Sequence, residues 1–243
     1  MKKLLALALG CLLVTSLLAQ DSTGKAPQPK RKIDLSGRNN DHLMIQFGYA
    51  GWNGRPDSIH TSGFPHTFNV YFMFDFPFKT NPHLSLGVGP GIGSEHMYFS
   101  KTYIGLKDIS PTLRFQDLSD TTHFKRYQLS TTWVEVPLEI RYSQDPENPG
   151  KGWKAAAGLK FGALLNSHTK GKTWVNSNGN TLINYTEKII SKRYFNTTRI
   201  MATARVGYGH ISLFANYQLT PLFKQGVAAQ ILPFSAGITL SGL

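Results

Sequence analysis

The chain has a single cysteine, Cys11, among 243 residues. It falls inside an N-terminal run that reads as a processing signal, so the exported chain is expected to carry no thiol. That excludes disulfides, cysteine-based zinc sites and cysteine nucleophiles together. An exported chain without disulfides must draw its stability from a large core or from a membrane. Charge is also scarce: Asp, Glu, Lys and Arg make up 16% of the chain, against roughly 25% in soluble domains. Acids are the scarcer sign, 14 against 26 Lys and Arg, for a net charge of +12. The basic surplus is scattered, with no RGG tract and no long basic helix, which argues against nucleic acid. Anionic lipid head groups are the simpler partner. Only one long apolar run occurs, residues 4–18. It is shorter than the roughly 20 residues of a membrane-spanning helix, and no segment with helical periodicity follows it.

That run, with Lys2 and Lys3 before it and the small residue Ala19 after it, makes residues 1–19 a signal peptide. Leu9-Gly10-Cys11 faintly resembles a lipidation signal, but cleavage there would leave half of the apolar run behind. Residues 20–41 are polar and basic, with APQPKRK at 26–32; prolines and adjacent cations favour an extended periplasmic leader.

From residue 42 onward the abundant signal is alternation. In the stretch 134–142, Val134, Val136, Leu138, Ile140 and Tyr142 share one parity, and Glu135, Pro137, Glu139 and Arg141 the other. Period two is a β-strand. The same pattern gives seven more strands. Phe68, Val70, Phe72, Phe74, Phe76 and Phe78 share one face, a heavy load for a water-facing core but suited to a lipid-facing wall. Residues 87–93, GVGPGIG, place glycine at every second position, whereas a dinucleotide loop needs GxGxxG leading into a helix. The expectation is a glycine face that leaves room for bulky side chains opposite.

Connections alternate in length. Those near Asn81, Asp145 and Tyr208 are short; those near Arg55, Ile109, Asn178 and Gln225 are longer. Residues 100–126 show no sustained alternation, and residues 166–196 are expected to hold a short hairpin on the rim. Outer-membrane barrels have short periplasmic turns and long external loops. The fold expected for residues 42–243 is therefore all-β, an eight-stranded antiparallel up-and-down transmembrane β-barrel with both ends periplasmic. Tyr142, Trp153 and Tyr208 are placed for an interfacial aromatic girdle. The inward charges Asp75, Glu135, Glu139, Arg141, Lys154, Lys160 and Arg205 form an expected lumen ion-pair network of structural purpose, with Glu135 roughly across from Lys160. A barrel of this size with so many lumen side chains is expected to be plugged.

The LLAQ signal end, the WVEVPLEIRYS strand, GLKFG after a proline-rich turn, and the closing ANYQLTPLF segment resemble the PorT-like outer-membrane β-barrel family of Bacteroidota. VPLEIRY is the most specific part. The resemblance implies an eight-stranded outer-membrane barrel of a Gram-negative host. Its founding member is tied to protein secretion and gliding, and most relatives have no assigned role.

Three functional classes follow: a structural or scaffold component of an envelope complex, a narrow channel for small solutes, or a lipid-modifying enzyme. His60, His66, His96, His123 and His168 lie in or near the expected outer loops, and Ser94-Glu95-His96 is the nearest approach to a hydrolytic constellation, but no motif fixes it. The scaffold reading is preferred, without catalytic residues, metal ligands or a cofactor. Expected partners are outer-membrane lipid and other envelope proteins meeting the loops or leader.

Overall fold

Alternation of apolar and polar side chains carries through the structure as a closed antiparallel wall. The structure, a computed structural model, describes residues 43–57 and 59–242. The signal peptide and leader read at residues 1–41 lie outside the described residues. Its strands are β1 (Leu43–Asn53), β2 (His66–Phe72), β3 (Phe74–Pro77), β4 (Leu84–Val88), β5 (Gly91–Phe99), β6 (Thr102–Ile104), β7 (Phe115–Asp117), β8 (His123–Ser143), β9 (Trp153–Val175), β10 (Thr181–Ile190), β11 (Thr198–Tyr208), β12 (Ile211–Gln218) and β13 (Leu232–Ser241). No helix occurs among the described residues.

Eight strands close a ring, in the order β1-β2-β5-β8-β9-β11-β12-β13, with β13 pairing back onto β1. The ring is not a clean eight-strand barrel, because two of its staves are broken and two are extended. β2 and β3 are one chain direction interrupted at Met73; β4 and β5 are interrupted at Gly89-Pro90. The cause of the second break is local. Pro90 has no N–H to give the ladder, and its carbonyl instead accepts from the Phe72 amide at 2.8 Å. A Cβ on Gly89 would lie 1.9 Å from the Phe72 carbonyl oxygen, so only glycine allows that approach.

β8 and β9 hold 21 and 23 residues, about twice what a tilted membrane crossing needs. They pair along nearly their whole length and stand above the rest of the ring, and β10 folds back onto the far end of β9. The rim hairpin expected at 166–196 is thus a long extension of the wall, and the strand read from the alternation at 134–142 starts as early as His123. The short connections (residues 78–83, 144–152 and 209–210) lie at one end and the long ones at the other. Asp145 shapes one short turn by accepting from the Glu147 and Asn148 amides at 3.1 and 3.0 Å. In another, Gly209 takes φ of 60°.

Burial is inverted relative to a soluble domain. Ile140 is 58% exposed and Leu213 62%, while Glu139, Glu135 and Lys160 are each 1%. Phe68, Phe72, Phe74, Phe76 and Phe78 all face outward. So large a continuous apolar exterior is stable only against lipid. Tyr142, Trp153 and Tyr208 are exposed at the short-turn end, Trp153 packing edge-on against Tyr208 with ring centroids 5.9 Å apart. They stand where an aromatic girdle meets the head groups.

Candidate functional site

Inside the ring the side chains sort into two levels. At mid-height the inward residues of β8, Glu135 and Glu139, each collect cations. Glu135 accepts from Arg199 of β11 through Nε at 2.8 Å and Nη2 at 2.6 Å, and from the Tyr71 hydroxyl. Arg199 also donates from Nη1 to Glu95 of β5 at 2.7 Å, and its guanidinium lies 4.4 Å from the centre of the Trp133 ring. One arginine thus joins two carboxylates and an indole, a use of the planar fork that lysine cannot copy.

Lys160 donates to Gln46 at 2.9 Å and to the Tyr71 hydroxyl at 3.2 Å. It does not face Glu135 across the strands as expected: Glu135 lies opposite Gly162, and Lys160 opposite Pro137. The turn is centred between Asn148 and Pro149, which moves the register by two residues on β9. Toward the short-turn end, Glu139 accepts from Arg205 at 2.6 Å and from Arg141 at 3.2 Å. Arg141 reaches Asp75 at 3.6 Å, and Asp75 accepts from Ser85 at 2.6 Å. Lys154 lies further along, donating to Ser241 at 3.0 Å.

Asp75, Glu135, Glu139, Arg141, Lys160 and Arg205 therefore share one lumen, and Lys154 sits at its mouth. Sequence reasoning left out Glu95, Tyr71 and Arg199, the arginine that bridges Glu95 and Glu135. Arg199 stands on the same parity as Arg205, which was the available signal. The glycine face has the expected purpose at two positions. A Cβ on Gly93 would meet Glu135 at 2.9 Å, and one on Gly87 would meet Arg141 at 2.3 Å.

Above this level the lumen turns apolar. Met97, Phe99, Tyr127, Leu129 and Trp133 point in from the wall, and Ile104, Leu113, Phe195, Phe223 and Ile231 fold in from the long loops. Three loops are knitted together there. Tyr194 donates to the carbonyls of Asp108 and Ser110 at 2.6 and 3.0 Å, and Asn196 to those of Pro221 and Phe223 at 2.7 and 2.9 Å. The Leu113 amide donates to the Val227 carbonyl at 2.9 Å. The result is an apolar cap over the polar network.

The histidines take other places. His60 stands 3.8 Å from the exposed Asp117. His66 and His96 stack on the outer face with centroids 4.8 Å apart. His96 lies between the Ser94 and Ser130 hydroxyls, at 3.1 and 2.8 Å. Glu95 points the other way, into the lumen on Arg199, so Ser94-Glu95-His96 does not assemble as a triad.

A lipid-facing exterior, an ionic lumen and loops segregated by length define a membrane-spanning β-barrel. A family model described as an outer membrane protein beta-barrel domain matches residues 36–224, and the chain belongs to that family, which places it in the outer membrane. No curated protein matches the chain. The family match stops short of β13, the strand that closes the ring on β1.

Proposed function

We propose that the protein is a closed-lumen barrel acting as a structural or scaffold component of the envelope rather than as a pore or an enzyme. The filling of the lumen carries this reading. A conducting path needs continuous water, yet charged side chains knit the middle to one another and an apolar cap covers the long-loop end. A channel is the second reading. It is favoured by the cleft at the short-turn end bounded by Asp75, Arg141, Lys154 and Arg205, but that cleft is only about 30 Å³, room for a water or two.

The PorT-like placement among Bacteroidota belongs to the same proposal and is supported by the VPLEIRY segment, whose Glu139 and Arg141 turn inward with Glu135 just before it. Partners would meet the long loops or the leader. The test is purification of the tagged protein from its native outer membrane in mild detergent, with mass spectrometry of what accompanies it. A stoichiometric envelope protein is expected. A set of proteins identical to that brought down by an unrelated tagged barrel would contradict the scaffold reading.

A further inference from the structure

Just beyond the apolar belt, the outer face of the tall β5-β8-β9-β10 wall changes chemistry. The lipid-facing side chains there are Ile92 on β5 and Val134 on β8, which are register partners. Farther toward the long-loop end, the same outward parity carries Arg126 on β8, Lys170 and Lys172 on β9, and Lys188 on β10. The register sets Arg126 opposite Lys172 and Lys170 opposite Lys188. Like charges directly across a ladder are destabilising, and here two such pairs are adjacent. None of these four cations makes an ion pair among the described residues. Glu187, the acid on β10, is paired with Gly171 and so has the opposite parity.

A groove of about 580 Å³ runs over this surface, lined by Lys125, Arg126, Lys170, Lys172 and the aromatic residues Phe64 and Tyr98, with no carboxylate in its lining. The same field reaches His168 nearby: burial first, then Lys188 and Lys170, hold its imidazole below the usual range. The groove lies at the boundary where apolar wall gives way to polar wall. Phe68 and Ile92, 47% and 53% exposed, stand on the lipid side of that boundary.

We infer that this groove binds the phosphate groups of a phosphorylated lipid of the outer leaflet, with its acyl chains descending along Phe68, Ile92 and Val134. The anion removes the repulsion of the facing cations, and the apolar wall below receives the chains. A soluble polyanion would have no use for a basic groove that opens directly onto a lipid-facing wall. The inference rests on the long-loop end facing outward and is independent of the scaffold reading.

Native mass spectrometry of the purified protein in mild detergent tests it, with bis-phosphorylated lipid A, its dephosphorylated form and inorganic phosphate as probes. The phosphorylated lipid binds roughly tenfold or more tightly than the dephosphorylated one, and the double variant Lys170→Gln with Lys172→Gln loses roughly that factor. Lys107→Gln with Lys224→Gln, in the cap loops, leaves binding unchanged. Retention of a heat-sensitive gel shift verifies that each variant is a folded barrel. Lys188→Gln, on the exposed β10, replaces the double variant if that one does not fold, with a loss of roughly fivefold. Equal binding of the two lipids, undiminished binding by the folded variant, or inorganic phosphate binding as tightly as the lipid would each overturn the inference.

Discussion

Along β8, between Glu139 and Leu129, the inside of the barrel passes from buried carboxylates to buried apolar side chains, and the outside changes in the opposite sense. Where lipid surrounds the wall, apolar residues face out and Glu135, Arg199 and Lys160 fill the lumen. Above the lipid, Phe99, Tyr127 and Leu129 turn in under the loops, and Lys170 and Arg126 face out. Both levels fill a narrow ring with side chains, but the solvent on the outside decides which chemistry is available. In lipid, the lumen is the place for charge, and buried charge is tolerable only when paired and hydrogen-bonded. In water, the wall behaves like a soluble sheet and hides its apolar residues.

The two levels should fail differently. Arg199→Met leaves Glu135 and Glu95 without their shared cation and should cost the whole barrel about 3–5 kcal/mol, measured as a fall in the urea unfolding midpoint in lipid vesicles. Phe223→Ala removes a comparable amount from the cap, about 3–5 kcal/mol, but locally. Amide protection around Leu113 and Val227 should drop by roughly a hundredfold or more, with the ring strands unchanged. Equal loss of protection in cap and ring would erase the distinction between the two levels. Arg141→Gln should be milder, about 1.5–3 kcal/mol in the same unfolding experiment, because Glu139 keeps Arg205. Gly93→Val presses a side chain against Glu135 and should cost about 1–3 kcal/mol. The same substitution at Gly179, where a Cβ would meet nothing within 4 Å, leaves the network untouched and costs only the backbone strain of a valine at φ of 84°.

What could be read from the sequence follows the same division. Inside the belt, alternation gave the strands, their faces and six charged residues of the shared lumen, because one side of each strand must be apolar and the other need not be. Arg199 was on the right parity beside Arg205, but no neighbouring residue marked it as the centre of the network. Glu95 was hidden for a physical reason. On β5 the inward row runs Gly93, Glu95, Met97, Phe99, and the outward row Ile92, Ser94, His96, Tyr98, so the polar face changes sides midway along the strand. A search for sustained alternation stops at that point and takes the remainder for a loop. The cap was illegible for a related reason: Leu113, Phe195 and Phe223 come from irregular loops and Ile104 from a three-residue strand, too short for a period to reveal a common destination. The register of Lys160 depended on where a nine-residue turn is centred, which composition alone does not determine.

The central claim is that a self-paired ionic layer closes the lumen, with the apolar cap lying above it. Planar-bilayer recording of the purified protein tests it most directly, comparing the wild type with a variant whose cap is loosened at Phe195 and Phe223 by alanine. The account predicts no discrete conductance steps from the wild type, and none from the variant either, because the layer built on Arg199, Glu135 and Lys160 still fills the ring. Reproducible unitary steps from the wild-type protein, shifted in size by Arg141→Gln or Arg205→Gln, would contradict it and make the ionic layer the lining of a channel.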